Sequence, residues 1–378
     1  MRLRSERALC ASAIGALLLA SICSCGGGGS ATVTTGGDGI VGEGGGGGAP
    51  EDPSPGAPAE EGPFFYLVLH ADPAAPDARR DGVPDRWERL RTLLGDLRER
   101  GAGHHVTIML TGPWIDWLAG EPEAAAELRG WIDEGHQVAF HSHTHNHSFR
   151  DGYTNARDVF GPDADDVCWR ADAAECTLDA ALETLRGLLP EGYDMGFAAL
   201  GPHGNGGDPP FWGANDNTCN PELVDGVPQA DEDGCVQAEW VGEVARDVHA
   251  TSGAYPGLTP ENRDDPASIL GDSGCVRWGE APRDVYYLPH AAFETESSKT
   301  EVSLETLEAA FERAGPGDLI GVVVHPVSYV HVPTSAFDGD GVARVQALLD
   351  AAEARGLRSH TLAEVRAADA AGGGAACR

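Results

Sequence analysis

Basic residues are scarce in this chain: 26 Lys and Arg stand against 60 Asp and Glu, a formal net charge of −34. That balance repels phosphate backbones and anionic bilayers, which excludes general nucleic-acid binding and electrostatic attachment to membranes. Long apolar runs are equally few. The one that stands out, residues 8–22, is too short for a membrane span, and no second candidate follows. Beyond the N-terminal leader no cysteine lies in a Cys-x-x-Cys pair, so a thiolate zinc site is not expected. No internal repeat is evident.

What the N-terminus holds is an export signal. Arg2, Arg4 and Arg7 form a basic stretch before the apolar run, and Ile22-Cys23-Ser24-Cys25 is similar to a bacterial lipobox. Residues 1–24 are therefore expected to be removed and Cys25 lipidated, with ordinary signal-peptidase cleavage nearby as the alternative. Residues 25–62 are dense in Gly, Pro and Ser, cannot bury a core, and read as a flexible tether. The expected location is the cell envelope, at the outer membrane or surface, or outside the cell, with the lipid as the membrane contact. Six cysteines remain: Cys168, Cys176, Cys219, Cys235, Cys275 and Cys377. An even number in an exported chain predicts three disulfides. Local pairing favours Cys168–Cys176, Cys219–Cys235 and Cys275–Cys377, out of 15 possible connectivities.

The chemistry is concentrated in histidine. Val138-Ala139-Phe140 is an apolar strand-like run that ends in His141, His143, His145 and His147. Four imidazoles in seven residues are hard to explain as packing, and neutral imidazole is the commonest side-chain metal ligand. The pattern recurs: Leu67-Val68-Leu69 runs into His70 with Asp72 two residues on, and Tyr286 to Pro289 runs into His290. Leu319 to Val324 runs into His325, and Ala198 to Leu200 leads through Gly-Pro to His203.

Between these runs lie helical periods, at Trp87, Leu90, Leu94 and Leu97, at Leu128, Trp131 and Ile132, and at Leu178, Leu182, Leu185 and Leu188. Two more are expected over residues 303–314 and 342–355. Strand-helix alternation predicts a parallel α/β architecture, a distorted (β/α) barrel over residues 63–370. In such a barrel the C-terminal ends of all strands share one face, so the strand-ending histidines would converge there. Residues 204–283 break the rhythm with Gly, Pro, Asp, Asn and three of the cysteines, and read as a disulfide-stapled insertion.

In this order of elements the chain resembles the polysaccharide deacetylases of the NodB-homology type, carbohydrate esterase family 4. Gly135 to His145 is similar to the motif in which His-x3-His binds metal, and the resemblance carries that role to His141 and His145. It implies Asp72 as the third ligand and His325 as general acid. The bound metal would be divalent, zinc by default, with cobalt, nickel or iron also compatible with Asp/His2 ligation. Two departures stand out. If Asp72 is the ligand, Ala71 occupies the place of the aspartate base. Leu200 stands where the family carries an arginine that orients that base.

His70 is the residue expected to serve as base instead, with His203 the second candidate. His70 as a third imidazole ligand, or as a hydrogen-bond partner of Asp72, is equally open. The expected activity is removal of N- or O-acyl groups from a cell-envelope or extracellular glycan, or from a small acylated substrate. Alternatives are a metallohydrolase of a non-sugar amide, and a non-catalytic carbohydrate-binding lipoprotein that uses Trp212 and Trp240.

Overall fold

The computed structural model describes residues 62–71, 79–142, 172–200, 247–255, 258–278, 283–293, 301–325 and 341–372, with Tyr153, Arg170 and Cys377. The expected signal, the expected lipidation site Cys25 and the expected tether lie outside these residues, as do Asp72, His143, His145, His147, His203, Trp212 and Trp240. Among the described residues no helix is long and apolar enough to cross a membrane.

Seven parallel strands close on themselves. They are β1 (Phe64–Ala71), β2 (Val106–Leu110), β3 (Gln137–Ser142), β4 (Phe197–Leu200), β5 (Ala250–Ala254), β7 (Arg283–Ala292) and β8 (Leu319–Val324). Neighbours follow the order β2-β3-β4-β5-β7-β8-β1, and β1 pairs again with β2. The strand β6 (Gly274–Trp278) lies antiparallel on β7, and the two-residue β9 (Ser359–His360) pairs with the start of β1. The α-helices among the described residues are α1 (Arg79–Arg100), α2 (Gly112–Gly120), α3 (Pro122–Asp133), α4 (Leu178–Leu188), α5 (Leu304–Arg313), α6 (Gly341–Ala354) and α7 (Leu362–Gly372). This is the (β/α) barrel that the alternation predicts.

Local chemistry sets the element ends. Thr177 and Ser303 cap α4 and α5, each hydroxyl accepting a backbone N–H three residues on at 3.1 Å. Helix α3 stops at Gly135, whose φ of 99° admits only glycine without strain. At α7, Thr361 and Glu364 form a reciprocal capping box with bonds of 3.1 and 2.8 Å. The next two amides of that helix reach into the barrel floor. Leu362 N–H donates to Thr107 Oγ1 at 2.9 Å and Ala363 N–H to Gln137 Oε1 at 3.1 Å.

Strand alternation divides the buried side chains into two layers. Phe65, Leu67, Leu69 and Ala71 pack outward with the helices, while Phe64, Tyr66 and Val68 pack inward with Met109, Ala139, Phe197, Ala250, Tyr286, Leu288 and Val323. Leu362 and Val365 of α7 join the inner layer and plug the barrel from below. Each large aliphatic or aromatic side chain so buried contributes roughly 1.5–3 kcal/mol.

The stretch expected as an insertion, 204–283, contains a barrel strand. β5 completes the ring between β4 and β7, and β6 extends the sheet beside it. Its sequence, Ala-Thr-Ser-Gly-Ala, has no large apolar residue to announce a strand. Cys176 and Cys377 are disulfide-bonded. The Cys377 sulfur lies 3.5 Å from the carbonyl oxygen of Gly274, the residue before Cys275. The partner sulfurs, and with them the expected pairings, lie outside the described side chains.

Candidate active site

The inward rows of five strands change character at their C-terminal ends. On β1 the row Phe64, Tyr66, Val68 continues to His70; on β3 Ala139 continues to His141; on β5 Ala250 continues to Ser252. On β7 the row Tyr286, Leu288 continues to His290, and Val323 of β8 is followed two residues on by His325. Because all five follow the inward parity of parallel strands, they meet at one mouth of the barrel.

The rings touch. His70 stacks on His141 with centroids 4.0 Å apart and planes 28° from parallel. It meets His290 edge-on at 5.2 Å and 81°, and His325 edge-on at 5.5 Å and 83°. His70, His141 and His290 are buried, and His325 is half-buried. Ser252 Oγ lies 2.7 Å from Nδ1 of His290. Burial, followed by the neighbouring His141 and His325, pushes the His290 imidazole down to about 3, so it is neutral near pH 7. Below the mouth the Tyr66 hydroxyl donates to the carbonyl of Pro289, tying β1 to the residue before His290. Above it, Thr111 Oγ1 donates to the carbonyl of Ala71 at 2.8 Å and fixes the end of β1 from which Asp72 follows.

The structure thus brings together His70, His141 and His325 of the residues singled out from sequence. Asp72, His145 and His203 lie outside the described residues. If Asp72 is the ligand, the resemblance sets Ala71 at the place of the aspartate base; Ala71 packs outward with Leu67 and Leu69 against the helical layer. A side chain there points away from the mouth, and His70 is the β1 residue that enters it. Sequence reasoning assigned no part to Ser252 or Thr111, and it noted His290 only as a strand-ending histidine. The signal for Ser252 was a hydroxyl two residues after Ala250 in a run of small residues, which no apolar periodicity marks.

Among the described residues no three His, Cys, Asp or Glu are grouped to hold a cation. The one expected ligand that is described, His141, fits the role in its chemistry: a 1% exposed imidazole at a strand end, facing the mouth and leading into three further histidines.

No family profile and no curated protein matches the sequence. Among solved structures the chain is similar to a 4-α-glucanotransferase from Thermococcus litoralis, with a TM-score of 0.42 and 11% identity. That overlap covers 80% of this chain and spans only 38% of that one. It is also similar to a family 4 carbohydrate esterase from Streptomyces lividans in complex with acetate (TM-score 0.33, 12% identity, 78% of this chain and 91% of that one). A peptidoglycan deacetylase from Bacillus subtilis gives a TM-score of 0.29 and 12% identity, over 82% of this chain and 93% of that one. Overlaps this loose carry no functional argument, which rests on the residues at the barrel mouth.

Proposed function

We propose that this chain is a metal-dependent hydrolase, a divergent relative of the polysaccharide deacetylases, that removes acyl groups from a glycan of the cell envelope or its surroundings. The observation that carries the reading is the convergence of His70, His141 and His325 on one barrel mouth, each from a different strand end. Asp72, His141 and His145 would hold a divalent metal, with zinc the first choice. When bound, the metal supplies a polarised acyl carbonyl and an acidified water.

The chain's own residues supply the proton chemistry. His70, neutral, accepts a proton at a ring nitrogen as the nucleophile adds, and His325, charged, returns one to the departing amine or alcohol. These two rings meet at right angles, 5.5 Å between centroids, close enough to serve opposite sides of one acyl carbon. Burial of His70, His141 and His290 excludes bulk water from the transfer path. Export through residues 1–24 and anchoring at Cys25 would deliver this mouth to envelope glycans.

The test uses residues 63–378 loaded with zinc, cobalt, nickel or iron, and assayed on acylated chito-oligosaccharides, peptidoglycan fragments and aryl esters. Release of acetate with near one equivalent of metal, and loss of that metal in His141→Ala and His145→Ala, supports the reading. Full metal retention in both variants, or no turnover with any metal, overturns it.

A further inference from the structure

Ser252 and His290 have no part in the proton transfers just described, yet they are joined by a short polar contact at the mouth. We propose that they form a brace that holds the His70 ring in its working orientation, Ser252 acting on His290 and His290 on His70. The inference rests on His70 being the base of the reaction proposed above.

The geometry carries it. Ser252 is 2% exposed and its Oγ lies 2.7 Å from His290 Nδ1. A neutral imidazole has one N–H and one lone pair and a hydroxyl can donate or accept, so the bond at Nδ1 forms with either tautomer and stops the ring from turning. The bond crosses from β5 to β7, where Ser252 pairs with Leu288 and Ala254 with His290. It therefore ties two inward side chains on neighbouring strands. The fixed His290 ring presents its position to His70 at 81° and 5.2 Å.

His141 covers a face of His70 and His325 a further side, so the base is held on three sides. Of these three neighbours His141 is an expected metal ligand and His325 the expected acid, leaving His290 with orientation alone. The small residues around Ser252, Ala250 and Gly253, leave the strand no bulky side chain to do this instead.

The experiment combines kinetics on an aryl acetate with long-range 1H–15N spectra of the imidazoles in the metal-loaded protein. His290 and His70 signals are assigned by their loss in His290→Gln and His70→Gln. The brace predicts a single set of His290 signals in the parent protein and a broadened or shifted set in Ser252→Ala, with His70 signals shifted as well. Turnover should fall on the order of ten- to a hundredfold in Ser252→Ala with KM and metal content unchanged. Ser252→Thr, which keeps the hydroxyl, should restore both signals and turnover. Unchanged His70 signals in Ser252→Ala overturn the brace whatever the activity, and so does unchanged turnover with only a lowered melting temperature. Absence of turnover in the parent protein counts against the hydrolase reading alone, because the His70 spectra still decide the brace.

Discussion

Gly112 and Tyr153 are in contact so close that a single added carbon would not fit. A Cβ at Gly112 would lie 2.5 Å from the Tyr153 ring. Tyr153 is buried there, its hydroxyl bonds Asp116, and Arg170 grips the same carboxylate at 2.8 Å through Nη2. The start of α2 is thus fitted to the segment that follows the histidine-rich motif. Gly112→Ala should destabilise the protein by about 1–3 kcal/mol, the usual cost of overpacking. Gly95→Ala, in the middle of α1 with nothing within 4 Å of the added carbon, should instead stabilise by roughly 0.5–1 kcal/mol. Urea unfolding of the two variants beside the parent protein checks both signs, and equal effects would refute the steric account.

A second expectation concerns the acid. His325→Ala should cost on the order of 10²–10⁴ in turnover with metal content unchanged, the usual worth of a positioned proton donor. The pH–rate profile of the parent should be a bell centred within about two pH units of neutrality. Its alkaline limb should vanish in His325→Ala, and its acidic limb in the double replacement of His70 and His203. An unaltered bell in His325→Ala would remove that residue from the reaction. Chelation of the metal should abolish turnover in every case.

His136 supplies a pH dependence of stability that is independent of the active site. Its ring is buried at the start of β3, where Nδ1 accepts the Val106 N–H at 3.3 Å. Burial, then the charge of His105, holds it down to about 4. The unfolded chain, with histidine near 6.5, therefore binds the proton more tightly than the fold does. Stability from this group is complete above about 6.5 and is lost as pH falls toward 4, by on the order of 3 kcal/mol at most. His136→Gln keeps an acceptor but does not titrate, so its unfolding free energy should fall less steeply across that window. Parallel curves for parent and variant would count against this assignment.

The cysteines offer a simpler check. Cys176 and Cys377 are disulfide-bonded, and all six cysteines beyond the leader are expected to be oxidised. Thiol labelling of unfolded residues 63–378 should find no reactive sulfur. Two or more reactive thiols would overturn the three-disulfide assignment.

Large side chains made most of the barrel legible in the sequence. β1 and β8 are apolar throughout, so their ends and the histidines that follow them, His70 and His325, are read directly. β5 is silent because Ala250, Thr251 and Ser252 fill space next to bulkier neighbours without an apolar rhythm of their own. β7 runs through Pro289, a residue that usually argues against a strand interior, and so carries His290 further inward than the run Val285 to Leu288 suggests. Face, more than position, was the harder quantity to read. One residue of register separates Ala71, packed in the outer apolar layer, from His70 in the mouth, and only the observed pairing of Leu67 with Val106 and Leu319 with Phe64 fixes which is which.

β1 does not keep one neighbour along its length on the side of β2. Phe65 and Tyr66 pair with Ser359 and His360, and only from Leu67 onward does the strand join β2. Leu67 N–H, at the changeover, donates to Ser359 Oγ at 2.9 Å, and His105 N–H donates to the Ser359 carbonyl at 2.7 Å. Among the described strands the first to be made is therefore completed by the last, nearly three hundred residues away. While the chain is being made, the start of β1 must wait with that part of its edge open, a template for wrong partners until the C-terminal segment arrives. Shortening the chain before Ser359 would leave that edge permanently bare, so aggregation during production, more than lost activity, should be the mark of a C-terminal truncation.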